Sequence, residues 1–151
     1  MDYQTLETLR RAHPAWRLLA ADHASLIVSF LHQNFVEPNV RTLAQGQLVS
    51  QLEDCLFQLR ERLGDDAFPR AAAAYLDEWA ADQHGWLRKY YPPSSDEPHF
   101  DISPATEKAI AFLASLKQRN FVGTESRLKI VFELLQQIVE GSEHDPGTRI
   151  A

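Results

Sequence analysis

The sequence predicts a mainly helical chain that is interrupted by one β-hairpin. Apolar residues recur at steps of three and four along most of the chain, which is the spacing of one helix face. The segment "GWLRKYYPPSSDEPHFDIS" (85–103) instead holds two aromatic-containing runs on either side of a proline-rich loop. Helix-like sequence flanks this segment on both sides. Because a two-stranded ribbon is marginal alone in water, we expect the hairpin to pack against helices.

Two helices and a short strand are predicted in the first part of the chain. The first helix covers about Tyr3 to Ala12, and Pro14 limits it. The second runs from about Asp22 to Pro38, with Asp22 as its N-cap, because the carboxylate can accept an orphan backbone N–H. The segment "NVRTLA" (39–44) contains β-branched residues and predicts a short strand.

The strongest helical pattern covers Gln45 to Leu63. Its apolar face consists of Leu48, Leu52, Cys55, Leu56, Leu59 and Leu63. Gly64 is the predicted C-cap, because glycine tolerates positive φ. The next helix is expected to have Pro69 near its first turn. Its buried stripe is predicted to consist of Phe68, Ala72, Tyr75, Leu76 and Trp79.

The hairpin is predicted over about 86–102. Trp86 to Tyr91 form its first strand, and His99 to Ile102 form its return strand. Residues 92–98 are expected to form the loop, since the prolines at both ends cannot donate ladder hydrogen bonds.

A pair of helices is predicted after the hairpin. Ser103 and Pro104 start the first, as an N-cap hydroxyl and a proline at the first helical position. The second is expected to start at Thr124, after a turn at Gly123, and to reach Gly141. A phosphate loop at Gly123 is disfavoured, because the second glycine and the lysine of that pattern are missing.

The order of helix, short strand, helix, helix and hairpin is that of a winged helix. The predicted fold is therefore mainly α, with a winged-helix domain that carries one β-hairpin wing and is followed by a helical pair. The predicted boundaries are 1–103 for the winged-helix domain with its N-terminal helix, 104–141 for the appended helical pair, and 142–151 for the start of a linker.

Composition and charge narrow the classes of function. The 151 residues are 44% hydrophobic and 24% charged, with a net charge of −6, and they contain no basic run that would serve as a nucleic-acid stripe. The single cysteine, Cys55, excludes an internal disulfide and fits a reducing cytoplasm. The longest apolar run, "AAAAYL" (71–76), is too short to span a bilayer. We therefore expect a cytoplasmic protein without a membrane partner.

The sequence offers no constellation that predicts catalysis, a metal or a cofactor. None of the six histidines lies four residues from another, as helical zinc ligands often do. Cys55 lies within an apolar stripe and has no second cysteine as a partner. Adjacent carboxylates such as Asp77 and Glu78 point about 100° apart on a helix, which does not suggest a shared-proton pair. We expect a protein that is not an enzyme.

The charges of the predicted recognition helix argue against DNA. Between Pro69 and Gln83 one arginine stands against three acids: Asp77, Glu78 and Asp82. The wing offers Arg88 and Lys89, but Asp96 and Glu97 occupy its tip. Phosphate contacts need cations, so this surface is better suited to protein contacts. A DNA-binding winged-helix regulator stays open as the alternative.

The aromatic residues of the wing are the candidate partner contacts. Trp86, Tyr90 and Tyr91 crowd onto one ribbon, and exposed apolar patches often mark interfaces. A two-fold homodimer is expected, since it is the commonest soluble assembly. Strand alternation would send some of these side chains into the core.

Several segments resemble a known family: "MDYQTLETLRRAHPAWRLLAADHASLI", "FVEPNVRTLA", "GWLRKYYPPSSDEPHFDISPATEKAI" and "FVGTESRLKIVFELLQQIVEGSEHDP". They are similar to the N-terminal region of the JetA family, the kleisin-type, condensin-like subunits of bacterial Wadjet systems. The resemblance covers nearly the whole chain, and the wing and "FVGTESRL" are its most specific parts.

The resemblance implies a non-catalytic subunit of an anti-plasmid defence complex. Such a kleisin connects the arms of an SMC-like ATPase subunit, carries a small winged-helix companion subunit, and often dimerises through its N-terminal winged helix. The ATPase and nuclease activities belong to other subunits, so DNA would be reached only indirectly through the complex. No site residue of the family is carried over to this chain.

Overall fold

A computed structural model describes the backbone of residues 1–141 and all their side chains except those at 119–129, 131, 132, 136 and 139–141. The predicted linker start at 142–151 lies outside the described residues. The elements are α1 (Tyr3–Ala12), α2 (Pro14–Leu19), α3 (Ala24–Leu31), a π-helical segment (His32–Val36), β1 (Thr42–Ala44), α4 (Gln45–Leu63), α5 (Ala72–Ala80), β2 (Leu87–Tyr90), β3 (His99–Ile102) and α6 (Pro104–Gly141). The chain divides into two compact units, and the first is Met1–Ile110.

The mainly helical winged-helix class is confirmed. The three strands form one antiparallel sheet in the order β1-β3-β2, with Leu43 and Lys89 both opposite Phe100 of the central strand. Helix α3, strand β1, helices α4 and α5 and the β2–β3 hairpin follow one another along the chain, which is the winged-helix order. One face of the sheet is buried among the helices, and its apolar members are Leu43, Leu87, Phe100 and Ile102.

Two helix boundaries follow directly from the local sequence. Helix α4 covers the predicted Gln45–Leu63, and Gly64 ends it with φ of 113° while its N–H donates to the Arg60 carbonyl at 2.8 Å. Helix α6 starts at Pro104, and the Ser103 hydroxyl accepts the Thr106 N–H at 3.3 Å. The first two turns of α6 belong to the first unit, where Thr106, Ala109 and Ile110 are buried.

The N-terminal region contains one helix more than predicted. Pro14 does limit α1, but it also opens α2, as a proline at the first helical position often does. His13 caps this helix, because its Nδ1 accepts the Ala15 N–H at 3.1 Å. Helix α3 begins at Ala24 after His23, so the prediction of Asp22 as its N-cap was wrong.

The start of α5 also differs from the prediction. The helix begins at Ala72, and Pro69 belongs to the preceding loop. Phe68 in that loop has φ of 50°, a left-handed conformation that breaks a helix. The guanidinium of Arg60 fixes the loop by donating to three of its carbonyls, those of Ala67 (3.0 Å), Phe68 and Arg70 (3.2 Å).

The predicted helical pair is a single helix. Residues 104–141 are continuously helical, so neither the turn at Gly123 nor the cap at Thr124 forms. A glycine in a helix interior costs about 1 kcal/mol relative to alanine, which a helix of 38 residues tolerates. Without a helix terminus at Thr124, the anion-binding interpretation of this segment loses its physical basis.

The tip of the wing is folded back onto the start of α4. Ala44, the N-cap residue of α4, has no side chain that could cap it. Glu97 supplies the missing acceptor, since its Oε2 accepts the Gly46 N–H at 2.7 Å. The carbonyl of Pro98 accepts the Gln45 N–H at 2.9 Å. A Cβ at Gly46 would lie 2.8 Å from Glu97 Oε2, so an added methyl group would force the flexible glutamate side chain to shift.

We predict that Arg60→Ala lowers the free energy of unfolding by about 2 kcal/mol, because three loop carbonyls lose a charged donor. The exposed Arg62 on the same helix provides the matched control, and Arg62→Ala should change stability by less than about 0.5 kcal/mol. Urea unfolding followed by circular dichroism measures both values. Equal effects of the two substitutions would contradict this role of Arg60.

We predict that Glu97→Ala lowers the free energy of unfolding by about 1 kcal/mol, the usual effect of losing a helix cap. The exposed neighbour Asp96 is the control, and Asp96→Ala should be close to neutral. Gly46→Ala should cost less in the Glu97→Ala background than in the wild type, because the close contact is already gone. A double-mutant cycle with no coupling would show that the wing tip does not cap α4.

Candidate functional site

The surface that winged helices often use for recognition is formed here by α5, β2, the 91–98 loop and β3, and is called the α5–wing surface. In helix-turn-helix proteins the second helix of the motif enters the major groove. Here that helix is α5, and its charged residues are Asp77 and Glu78, with no cation between Ala72 and Ala80. The helix therefore offers two negative charges where phosphates would approach.

Three cations of the wing and of the loop before α5 are paired with carboxylates of the same chain. Arg70, in the loop before α5, pairs with Glu78. Lys89 Nζ lies 3.0 Å from Asp77 Oδ1, which joins the wing to α5. Arg88 Nη2 lies 2.7 Å from Asp101 Oδ2 on the neighbouring strand.

These pairs change what the surface can bind. A phosphate approaching Lys89 or Arg70 meets a carboxylate already in place, and the pair would have to open first. Exposed ion pairs are individually worth no more than about 1 kcal/mol, so their effect is on the electrostatic field more than on stability. The positive potential expected of a groove-binding surface is thereby cancelled locally.

Lys89 is directed toward α5 by the register of the sheet. It lies opposite Phe100, on the face that packs against the helices. Its Nζ is 5.8 Å from the Phe100 ring centroid, close enough for a cation–π contact. The Lys89 side chain, which is 34% exposed, lies between a helix carboxylate and an aromatic ring.

Tyr90 lies on the opposite face of the sheet and is engaged within the chain. Its hydroxyl and that of Thr42 are 2.8 Å apart. The guanidinium of Arg88 lies 4.3 Å from its ring centroid, and the His99 ring lies at 6.2 Å. Tyr90 is half-buried in this cluster.

The other two predicted contact residues have opposite environments. Trp86 is only 3% exposed, and its Nε1 donates to the Pro14 carbonyl at 3.0 Å while its ring stacks on His84. Its burial places it in the core of the same chain and does not support a surface contact. Tyr91 is 63% exposed and is the one of the three whose ring is free for a partner.

The anchoring of α2 was missed at the level of sequence. The Pro14 carbonyl receives the Trp86 indole, and Arg17 donates to the Gln83 carbonyl, so α2 is fixed to the turn between α5 and β2. Gly85 in this turn has φ of 64° and lies against Pro14, where an added Cβ would be 3.5 Å from the proline ring. A histidine followed by proline was the available signal for this helix.

The polar side chains support structure more than chemistry. His84 and His99 each place Nδ1 near a backbone carbonyl, that of Glu78 at 2.7 Å and that of Glu97 at 3.1 Å. Burial raises the pKa of the half-buried Cys55 thiol, which lowers its thiolate fraction and its reactivity. Among the described residues, no three histidine, cysteine or acidic side chains converge as metal ligands would.

No helix within residues 1–141 combines the length and the apolar character that crossing a bilayer requires.

Comparison with known proteins places the chain in a family. The model of a family described as "protein of unknown function (DUF3375)" matches residues 8–151. An uncharacterized protein of Mycolicibacterium smegmatis is 48% identical over 151 residues, which are 100% of this chain and 32% of the relative. The chain thus spans about a third of that relative's length, and no solved structure matches it. The chain belongs to the DUF3375 family.

Proposed function

We propose that this chain is a non-catalytic assembly module, the N-terminal part of a kleisin-type subunit of a Wadjet SMC-like anti-plasmid defence complex. In this role its winged helix contacts proteins, and DNA is reached only through the complex. Its partners are a second copy of itself, an SMC-like ATPase subunit and a small winged-helix companion subunit. It acts in the cytoplasm, where its single thiol stays reduced.

The observation that carries the proposal is the internal pairing of the cations around α5. Three cations already have a carboxylate partner within the chain: Lys89 pairs with Asp77, Arg70 with Glu78 and Arg88 with Asp101. Non-specific DNA binding rests on cations that neutralise phosphates. A winged helix with this charge arrangement favours a protein partner.

Two further observations support an assembly role. The wing tip is occupied by the contact of Glu97 with α4, so it does not project freely as a minor-groove probe would. The wing and the 121–128 segment resemble JetA-type kleisins, and this resemblance is the reason for proposing a Wadjet complex in particular.

We predict that the chain binds duplex DNA with a Kd weaker than about 10⁻⁶ M at physiological salt. Fluorescence anisotropy with a labelled duplex of random sequence measures the value. Tight binding that weakens steeply with salt would overturn the assembly role and favour the DNA-binding regulator.

We predict that neutralising two carboxylates of α5, in the double variant Asp77→Asn and Glu78→Gln, tightens DNA binding about tenfold by releasing Lys89 and Arg70. The double variant Asp54→Asn and Glu61→Gln on exposed positions of α4 changes the net charge equally and serves as the control. Equal tightening by both would show that only net charge matters and that the local pairs do not.

Co-expression tests the partners directly. The tagged chain, produced with the SMC-like ATPase and the small winged-helix companion, should retain at least one of them through size-exclusion chromatography. Loss of both subunits under low-salt conditions would contradict the proposed assembly role.

A further inference from the structure

All three tryptophans of the chain line one cavity of the first unit. Trp16, Trp79 and Trp86 contribute to a space of about 510 Å³ between α1, α2, α3, α5 and the turn before β2. Small-molecule sites usually enclose about 300–1,000 Å³, and aromatic side chains and a few charged groups line them. This space, called the tryptophan cavity, has the size and the lining of such a site.

The inner wall of the tryptophan cavity is apolar. Trp79, Trp86 and Ile27 are buried and form this wall, while Trp16 is 37% exposed and stands at the mouth. An apolar group that enters the cavity leaves water and packs against these side chains. Its binding is favoured roughly in proportion to the apolar area that is buried.

Contacts within the chain hold the walls of the cavity in place. The Trp86 indole donates to the Pro14 carbonyl, and Arg17 donates to the Gln83 carbonyl, so α2 is fixed to the turn that follows α5. His84 stacks on Trp86 with the ring centroids 4.4 Å apart. Because the cavity is already formed, a ligand has few side chains to immobilise, which favours binding.

Two of the four charged side chains that line the cavity are already compensated. Arg10 binds the Glu7 carboxylate with Nη2 at 2.6 Å, and Glu78 pairs with Arg70. A ligand would meet these two charges with their partners in place. The charges that remain to be matched are those of the other two lining residues.

These two residues, Arg17 and Asp22, supply one charge of each sign. Neither has an ion-pair partner among the side chains that the structure describes. The Arg17 guanidinium binds only the neutral Gln83 carbonyl, which leaves further N–H groups, since arginine has five donors. Asp22 does not cap α3, because His23 is the N-cap residue. The Asp22 carboxylate is therefore available to a ligand.

A ligand that fits this lining carries both charges and an apolar body. A pure anion would leave the Asp22 carboxylate covered and unpaired, and a pure cation would do the same to Arg17. A zwitterionic α-amino acid offers a carboxylate to the guanidinium and an ammonium to the carboxylate. Arginine binds carboxylates through two parallel N–H···O hydrogen bonds, which gives the contact strength and direction.

We propose that the tryptophan cavity binds a free amino acid with an aromatic or large apolar side chain. The ligand carboxylate binds Arg17, its ammonium binds Asp22, and its side chain packs against Trp16 and Trp79. This site goes beyond the proposed function and does not depend on it. Because the cavity joins α2 to the winged helix, the bound amino acid stabilises this junction by mass action.

Titration of the chain with L-phenylalanine, followed by tryptophan emission, tests the proposal. Every tryptophan of the chain reports on the cavity, and phenylalanine does not emit in the same range. The emission should change saturably with a Kd of about 1 mM or tighter, the strength usual for a ligand of roughly a dozen non-hydrogen atoms. No saturable change up to about 20 mM phenylalanine overturns the proposal.

Two analogues of phenylalanine test the two charged contacts separately. 3-Phenylpropionate lacks the ammonium and phenethylamine lacks the carboxylate, so each should bind at least about tenfold more weakly than phenylalanine. Binding of either analogue as tightly as phenylalanine overturns the zwitterionic ligand.

Substitutions in the chain assign each contact to its residue. Asp22→Asn should weaken phenylalanine about tenfold and leave 3-phenylpropionate unchanged, and Arg17→Gln should weaken phenylalanine equally and leave phenethylamine unchanged. The controls Asp96→Asn and Arg62→Gln remove the same charges at exposed positions outside the cavity and should bind phenylalanine as the wild type does.

The Asp22→Asn result decides the proposal even if Arg17→Gln disturbs the fold, because the Asp22 carboxylate has no ion pair to lose. Circular dichroism of each variant identifies such a disturbance. Unchanged phenylalanine binding by Asp22→Asn, or equal weakening by Asp96→Asn, overturns the proposal.

Discussion

The structure depends on burial of one face of a sheet that is too small to be stable alone. The central strand β3 contributes Phe100 and Ile102 to the core, and the helices of the winged helix cover them. A sheet of three short strands needs such cover to persist in water. The same packing fixes the register that sends Lys89 toward α5 and Arg88 to the opposite face. The charge pairs of the α5–wing surface are therefore consequences of how the core is packed.

In the proposed function, a winged helix disfavours DNA without any change of its fold. The fold requires apolar residues on one sheet face and on one stripe of each helix, and it leaves the charges of the outer surface free to vary. In this chain the carboxylates of α5 and β3 lie within reach of the nearby cations. The proposed function therefore rests on the charged residues at a few surface positions, since fold alone does not imply function.

Much of the fold could be predicted from local sequence, and the exceptions have physical reasons. Helix α4 was predicted at its observed bounds because its apolar period is strong and Gly64 ends it. The short helix α2 was missed because six residues carry too little periodic signal. The start of α5 depends on Arg60, which reaches a loop seven to ten residues away, and local propensity does not contain that contact. The predicted turn at Gly123 was wrong because a single interior glycine does not break a helix of 38 residues.

The acidic charge of the candidate site could be predicted from the sequence, but its ion pairs could not. The acidic character of α5 was evident from Asp77 and Glu78, but the reach of Lys89 to Asp77 depends on tertiary packing of the wing against the helix. The burial of Trp86 likewise depends on Pro14, 72 residues earlier in the chain. Sequence alone could not assign Trp86, Tyr90 and Tyr91 to the core or to an interface.

The salt dependence of DNA affinity reports whether the α5–wing cations are available, because its slope counts the phosphates that the protein neutralises. The logarithm of the association constant is measured against the logarithm of the salt concentration for a duplex and this chain. Internal pairing of the α5–wing cations predicts a slope no steeper than about −2, corresponding to fewer than about two phosphate contacts. A slope of about −4 or steeper would mean that the cations are available to DNA and would contradict the account.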